Sequence, residues 1–227
     1  MSSKMHPING LLGLIFPVNC TACGDESSWL CENCFKKLPL TRFDICVICH
    51  KATVENNLCS NCQKNLGLDG VVTLYGYDLE PIRSIIKLSK YSKQHDAVRF
   101  ISENNRLEAW LRLPKGRWHL APIPLHPKKL KKRGYNQAEI IAKALSQKDH
   151  PVVNILSRVK ETKDQASLSH EKREANVTGC FEVKKNIPED VIMIDDVITT
   201  GSTLKEASIA LRNAGAKRIW AITLAHG

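Results

Sequence analysis

Two groups of residues in this chain have types and spacings that suit chemistry. The first is Asp195-Asp196, which follows the apolar run Val191-Ile192-Met193-Ile194 and precedes Thr199-Thr200-Gly201-Ser202-Thr203. Adjacent carboxylates can each accept a hydrogen bond from a vicinal diol. The amides and hydroxyls of a small-residue loop that opens a helix can hold a phosphate. The string therefore suits a phosphorylated sugar, and its bland alternative is a helix-capping turn. The second group is cysteine. Cys20/Cys23, Cys31/Cys34, Cys46/Cys49 and Cys59/Cys62 are four Cys-x-x-Cys pairs. Each pair can bite one tetrahedral Zn²⁺, and two pairs complete a closed structural site, so the eight thiols imply two zinc ions.

The simplest grouping is sequential, with Cys20, Cys23, Cys31 and Cys34 around one ion and Cys46, Cys49, Cys59 and Cys62 around the other; a crossed arrangement stays open. Disulfides and a redox Cys-x-x-Cys are the alternatives, and the spacing and the lack of a secretory leader favour metal. Closed Cys₄ sites leave no coordination position for substrate, so this part of the chain is expected to be structural, with metal binding supplying most of its folding energy. His50, directly after Cys49, reads as a surface residue, and Cys180 as a small buried hydrophobe.

The elements that must position these groups follow from periodicity. Residues 191–194 are short and wholly apolar, as expected of a strand buried on both faces of a parallel sheet. Leu204, Ala207, Leu211 and Ala214 then recur at helical spacing up to Gly215. Further strands are expected within 66–77 and near residues 118–125, 152–159 and 218–225. Helices are expected from Pro81, with Ile82, Ile85 and Ile86 inward and Lys87, Lys90 and Lys93 outward, over 96–111, and after residue 137. Strands alternating with helices argue for an α/β fold with a parallel sheet flanked by helices. The boundary is placed at residue 66, giving a cysteine-rich module over 1–66 and the α/β domain over 67–227.

Charge is uneven. The net charge is +10, yet residues 1–66 hold six basic and five acidic groups, and 112–133 hold eight Lys or Arg with no Asp or Glu. A basic loop carrying Lys128, Lys129, Lys131, Lys132 and Arg133 between a strand end and a helix start suits a polyanion, either a pyrophosphate or a nucleic-acid backbone; a solvated face is the alternative. The apolar run at residues 11–16 is too short to span a bilayer and lacks a cleavage site. A soluble, cytoplasmic protein without membrane insertion is expected.

The string 191–203 resembles the phosphoribosyl pyrophosphate (PRPP) motif of type I phosphoribosyltransferases. With Arg133-Gly134-Tyr135-Asn136-Gln137, the cysteine array, and Thr162, Gln165, Leu168, Glu171, Arg173, Asn176 and Val177, nearly the whole chain is similar to the ComF family of competence-associated proteins, which includes ComFC and GntX-like members. The resemblance implies a phosphoribosyltransferase fold behind a double zinc ribbon. In that fold Asp195 and Asp196 would hold the ribose hydroxyls, Thr199 to Thr203 the 5′-phosphate, and Lys128, Lys129 and Arg133 the pyrophosphate. Mg²⁺ would accompany PRPP, and residues 160–178 would form a loop closing over the ligand, with an exposed linker as alternative. Two functions fit: a PRPP-binding protein that handles single-stranded DNA alongside other DNA-uptake proteins, and a phosphoribosyltransferase with an unidentified acceptor, in which Asp195 and Asp196 would be catalytic.

Overall fold

The computed structural model describes residues 18–227 except 27, 55–56, 93, 162–177 and 185. The expected closing loop therefore lies, apart from its ends, outside the described residues, as does the apolar run at 11–16. In chain order the described elements are α1 (Glu32–Phe35), α2 (Ser60–Leu66), β1 (Gly70–Gly76), α3 (Glu80–Tyr91), α4 (His95–Asn104), α5 (Arg106–Leu111), β2 (His119–Pro122), α6 (Pro127–Arg133) and α7 (Gln137–Leu145), followed by β3 (Leu156–Arg158), β4 (Phe181–Val183), β5 (Asp190–Ile198), α8 (Ser202–Asn213) and β6 (Arg218–His226). No helix among the described residues is long and apolar enough to cross a membrane.

Four strands form one sheet in the order β1-β6-β5-β2, and every pairing is parallel. Val191 to Ile194 are fully buried in its centre. This is what an apolar run with no alternation requires, because helices cover both faces. One face packs Val72, Leu74, Leu120, Ile192, Ile194 and Ile222 against Ile82, Ile85, Ile86, Val98, Ile101 and Ile141. The other packs Val71, Ala121, Val191, Met193, Ile219 and Ala221 against Leu204, Ala207 and Leu211 of α8.

The cysteine-rich segment wraps the β1 edge and joins both cores. Cys20, Trp29 and Leu30 belong to the face of α3, whereas Cys46, Val47, Leu58, Cys62 and Leu66 belong to the face of α8. Between them the Thr41 N–H donates to the Leu74 carbonyl of β1 at 2.8 Å. Arg112, just past α5, pins the crossing segment by donating to the Thr41 carbonyl at 3.0 Å and stacking over the Phe43 ring. Cover of this kind makes an edge strand a poorer template for foreign strands.

Several elements differ from the sequence expectation. The strand expected over 191–194 runs on to Ile198, because Asp195, Val197 and Ile198 keep pairing with β6. The strand expected over 152–159 divides: Val152 only bridges Leu120 at the β2 edge, and β3 turns away to pair antiparallel with β4. The helix expected over 96–111 breaks at Asn105. Its buried side chain donates to the Ile101 carbonyl and accepts from the Tyr75 hydroxyl at 2.8 Å, a local bonding pattern that competes with helix propagation. The basic loop is helix α6. Pro127 stands at its first turn, His126 accepts the Lys128 N–H as its cap, and Gly134 closes it at φ 89°.

The Tyr75–Asn105 bond joins β1 to the α4–α5 break inside the core, where burial pushes the Tyr75 phenol up to about 12. Asn105→Ala would strand that hydroxyl, so a loss of about 1–3 kcal/mol is expected from denaturant titration. An unchanged midpoint would mean that the bond holds nothing.

Candidate functional site

Asp195 and Asp196 lie in the second half of β5, toward the carboxyl edge of the sheet, where open α/β folds place ligands. Strand alternation sends successive side chains to opposite faces. Asp196, 8% exposed, turns to the α3 face and meets Lys90, whose Nζ lies 2.9 and 3.1 Å from its two carboxylate oxygens. Burial pulls the Lys90 ammonium down, but the charge of Asp196 outweighs it and leaves the lysine above its ordinary value. Sequence periodicity had put Lys90 on the outer surface of its helix. Its side chain is only 25% exposed because the residue falls in the last turn of α3, where the helix end passes the sheet's carboxyl edge.

Asp195 behaves differently. Its Oδ1 accepts the Asp196 N–H at 2.9 Å. Burial first, and the neighbouring Asp196 charge second, raise its carboxyl to about 7 against the pull of that N–H, Lys90 and Arg158. The two carboxylates are thus unequal: one arrives paired with an ammonium, and the other changes protonation near neutrality.

The Arg133-Gly134-Tyr135-Asn136-Gln137 string positions this pair. The Tyr135 hydroxyl and the Gln137 amide both donate to the Ser89 carbonyl, the residue before Lys90. Asn136 caps α7 through the Ala138 N–H at 3.2 Å, and its amide donates to Ile123 just beyond β2 at 2.9 Å. Arg133 donates to Gln137 at 2.7 Å. One turn therefore binds the end of α3, the start of α7 and the end of β2. The spacing of these residues signalled a motif, but nothing in it showed that they anchor Lys90.

After β5 the chain reverses at Gly201, at φ 76°, and enters α8. The Thr200 and Ser202 hydroxyls lie 2.7 Å apart, and the Lys205 N–H closes the first helical turn on the Gly201 carbonyl. The segment Thr199, Thr200, Gly201, Ser202 and Thr203 thus presents hydroxyls and helix-start amides beside the carboxylates, an arrangement suited to an anion.

The cysteines gather in the sequential grouping. Within Cys20, Cys23, Cys31 and Cys34, and within Cys46, Cys49, Cys59 and Cys62, the ligand atoms all lie within 4.8 Å of one another. A tetrahedron with metal–sulfur bonds of about 2.3 Å has sulfur–sulfur edges of about 3.8 Å. The Cys23–Cys31 and Cys49–Cys59 sulfurs stand 3.8 and 3.6 Å apart. In each set one pair comes from a tight turn and the other from a helix start, Cys31 capping α1 and Cys59 capping α2. Burial raises the Cys20 thiol, but the N–H groups of Cys31, Cys23 and Ala22 bring it down to about 6. Hydrogen bonding to the Cys31 thiol first, and to Cys23 next, pushes the Cys34 thiol up to about 12. A central divalent cation is what allows all four to ionise together. These residues fit two structural zinc ions.

Of the basic set on α6, Lys128 pairs with Glu161 at 2.8 Å and Arg133 is held by Gln137. Lys129 is half-buried on the same helix, and Lys131 and Lys132 face solvent. All stand on the helix that follows β2, so they share the sheet's carboxyl edge with the carboxylates.

The raised Asp195 carboxyl has a consequence for stability. The folded state holds its proton from about 4, the unfolded value, up to about 7. Its contribution is present at low pH and is lost as pH rises through that window. Asp195→Asn should therefore gain stability relative to the parent between pH 5 and pH 8, on the order of 2–3 kcal/mol. Melting curves of the two proteins that stay parallel across that range would refute the assignment.

Comparison with known proteins accords with this architecture. A double zinc ribbon domain matches residues 11–63, and a phosphoribosyl transferase domain matches residues 130–227. Competence protein F of Haemophilus influenzae is 32% identical over 204 residues, covering 84% of this chain and 87% of that one. DNA utilization protein YhgH of Escherichia coli is 28% identical over 85% of this chain and 96% of its own. Competence protein ComFC of Bacillus subtilis is 26% identical over 82% and 79%. A zinc-ribbon pair ahead of a phosphoribosyl transferase domain, in a chain alignable with Competence protein F over most of both lengths, places the protein in the ComF family of competence proteins.

Proposed function

We propose that the protein binds PRPP at the carboxyl edge of its sheet and works in the cytoplasm on incoming single-stranded DNA, together with other DNA-uptake proteins. The observation that carries this reading is the junction of β5 and α8. It sets the unequal pair Asp195 and Asp196 directly before the Thr199–Thr203 turn, on a strand whose neighbour β2 leads into the basic helix α6. The ribose hydroxyls would bond the two carboxylates, the 5′-phosphate would sit in the turn, and the pyrophosphate would face Lys128, Lys129 and Arg133. Mg²⁺ suits the hard oxygens gathered there and would neutralise pyrophosphate charge while keeping several waters. The DNA role is supported by the names of the relatives, competence and DNA utilization proteins, and by a net charge of +10.

A second reading is transfer of the phosphoribosyl group. The acceptor nitrogen of a base or amine would form a bond to C1 as the C1–oxygen bond to pyrophosphate breaks, and the acceptor's proton would leave. The carboxylate pair favours it, since positive charge develops on the sugar beside Asp196 and an Asp195 that ionises near neutrality. Incubating the protein with PRPP, Mg²⁺ and a panel of bases, amines and oligonucleotides, then assaying pyrophosphate, separates the readings.

For the ligand, changing both Asp195 and Asp196 to Asn is expected to weaken PRPP binding at least about 100-fold by calorimetry, equivalent to two lost charge-assisted contacts; unchanged affinity would remove the site. For DNA, changing Lys128, Lys129, Lys131 and Lys132 to Ala should lower single-strand affinity. It should also reduce the slope of log K against log salt by about 3, at roughly 0.7 per phosphate contact. An intact slope would place the DNA elsewhere.

A further inference from the structure

The second cysteine site touches the turn read above as the phosphate loop. A β-carbon built on Gly201 would lie 2.8 and 3.1 Å from the two Leu66 methyls and 3.5 Å from Ile48 Cδ1. Leu66 ends α2, the helix that carries Cys59 and Cys62, and Ile48 lies inside the Cys46–Cys49 turn. Gly201 is thus pinched between the two halves of one Cys₄ set. The same contact continues along α8. Its Ser208 hydroxyl donates to the Leu66 carbonyl, and its Arg212 reaches both Asp69 oxygens at 3.1 and 3.0 Å.

The first set is placed otherwise. Cys20, Trp29 and Leu30 pack with α3 on the opposite face, and Thr21 of its turn reaches the Pro81 carbonyl there. The two ribbons repeat one another in local form but differ in what they support.

A phosphate held by backbone amides needs those amides fixed before it arrives, and small-residue turns are among the easiest segments to open. Glycine at positive φ permits the reversal at residue 201 but adds no packing of its own. An apolar wall from outside must supply that rigidity. Here it comes from two elements, a turn and a helix, whose mutual position one metal would set through its four sulfurs.

We propose that the Cys46, Cys49, Cys59, Cys62 site is a clamp for the phosphate loop, with Ile48 and Leu66 as positioning residues that hold the Gly201 backbone in its anion-receiving form. The proposal rests on the PRPP reading only for the identity of the anion. The test uses the full chain with two zinc ions per chain verified by metal analysis. It compares the parent with Ile48→Ala, Ile48→Val, which deletes only the Cδ1 methyl that stands on the side of Gly201 where a β-carbon would lie, and Ile48→Met, which restores an atom at that reach.

Amide exchange in residues 199–203 is expected to quicken about tenfold in Ile48→Ala, less in Ile48→Val, and to return to the parent rate in Ile48→Met. Exchange in β6 and the zinc count should stay as in the parent. PRPP affinity measured by calorimetry should fall and recover in the same order. Loop exchange unchanged in both Ile48→Ala and Ile48→Val would overturn the clamp, as would faster exchange with unchanged PRPP affinity. A parent that does not bind PRPP, with loop exchange still answering to residue 48, would sink the PRPP reading and leave the clamp standing. Thr21→Val, which removes the first ribbon's contact with Pro81 and no metal ligand, is the control and should leave the loop's exchange unaltered; loosening equal to that of Ile48→Ala would also overturn the proposal.

Discussion

A carboxylate on the central strand of a sheet covered on both faces has to be paired, and Lys90 meets that requirement for Asp196. Breaking a buried pair by removing one partner costs about 3–5 kcal/mol, because the remaining charge stays desolvated. The end of α3 must therefore be held against the end of β5, 106 residues later. The fold provides for this at one place. Tyr135 and Gln137 grip the Ser89 carbonyl, Asn136 grips Ile123 and caps α7, and Arg133 steadies Gln137. A string that in the sequence carries only the family resemblance holds the end of α3 so that an ammonium faces a carboxylate. Its chemistry is exerted through α3.

The sheet imposes a second constraint. Alternation along β5 separates the adjacent aspartates, so one meets the cation of α3 while the other, half-buried beside it, holds its proton near the point of release. Two acids of identical type acquire different character from their faces of one strand. Such divergence is how a fold assigns separate roles to like groups.

The cysteine-rich segment is tied into both cores. Its crossing at Thr41 covers the β1 edge, its first ribbon packs beside α3, and its second packs beside α8. Small modules bury too little apolar surface to fold strongly alone. By lending Trp29, Leu30, Leu58 and Leu66 to the cores of the sheet, each ribbon gains the burial it lacks, and the sheet gains a covered edge.

By itself the sequence determined the features that depend on neighbours in the chain. The apolar run of β5, the small-residue turn into α8, the four cysteine pairs and the family resemblance are all local strings whose spacing has one economical physical solution. The basic segment, read as a loop from its place between a strand and a helix, is instead helix α6, bounded by Pro127 and Gly134. The tertiary structure alone decided what depends on residues far apart. It brought Lys90 inward from a face that periodicity reads as outer. It broke a helix at Asn105 for the sake of Tyr75, split the strand expected over 152–159, and laid Ile48 and Leu66 against Gly201. Short-range periodicity reports which side of an element is apolar, whereas the partner that meets a given side chain is set by how the elements pack, and no spacing along the chain encodes that.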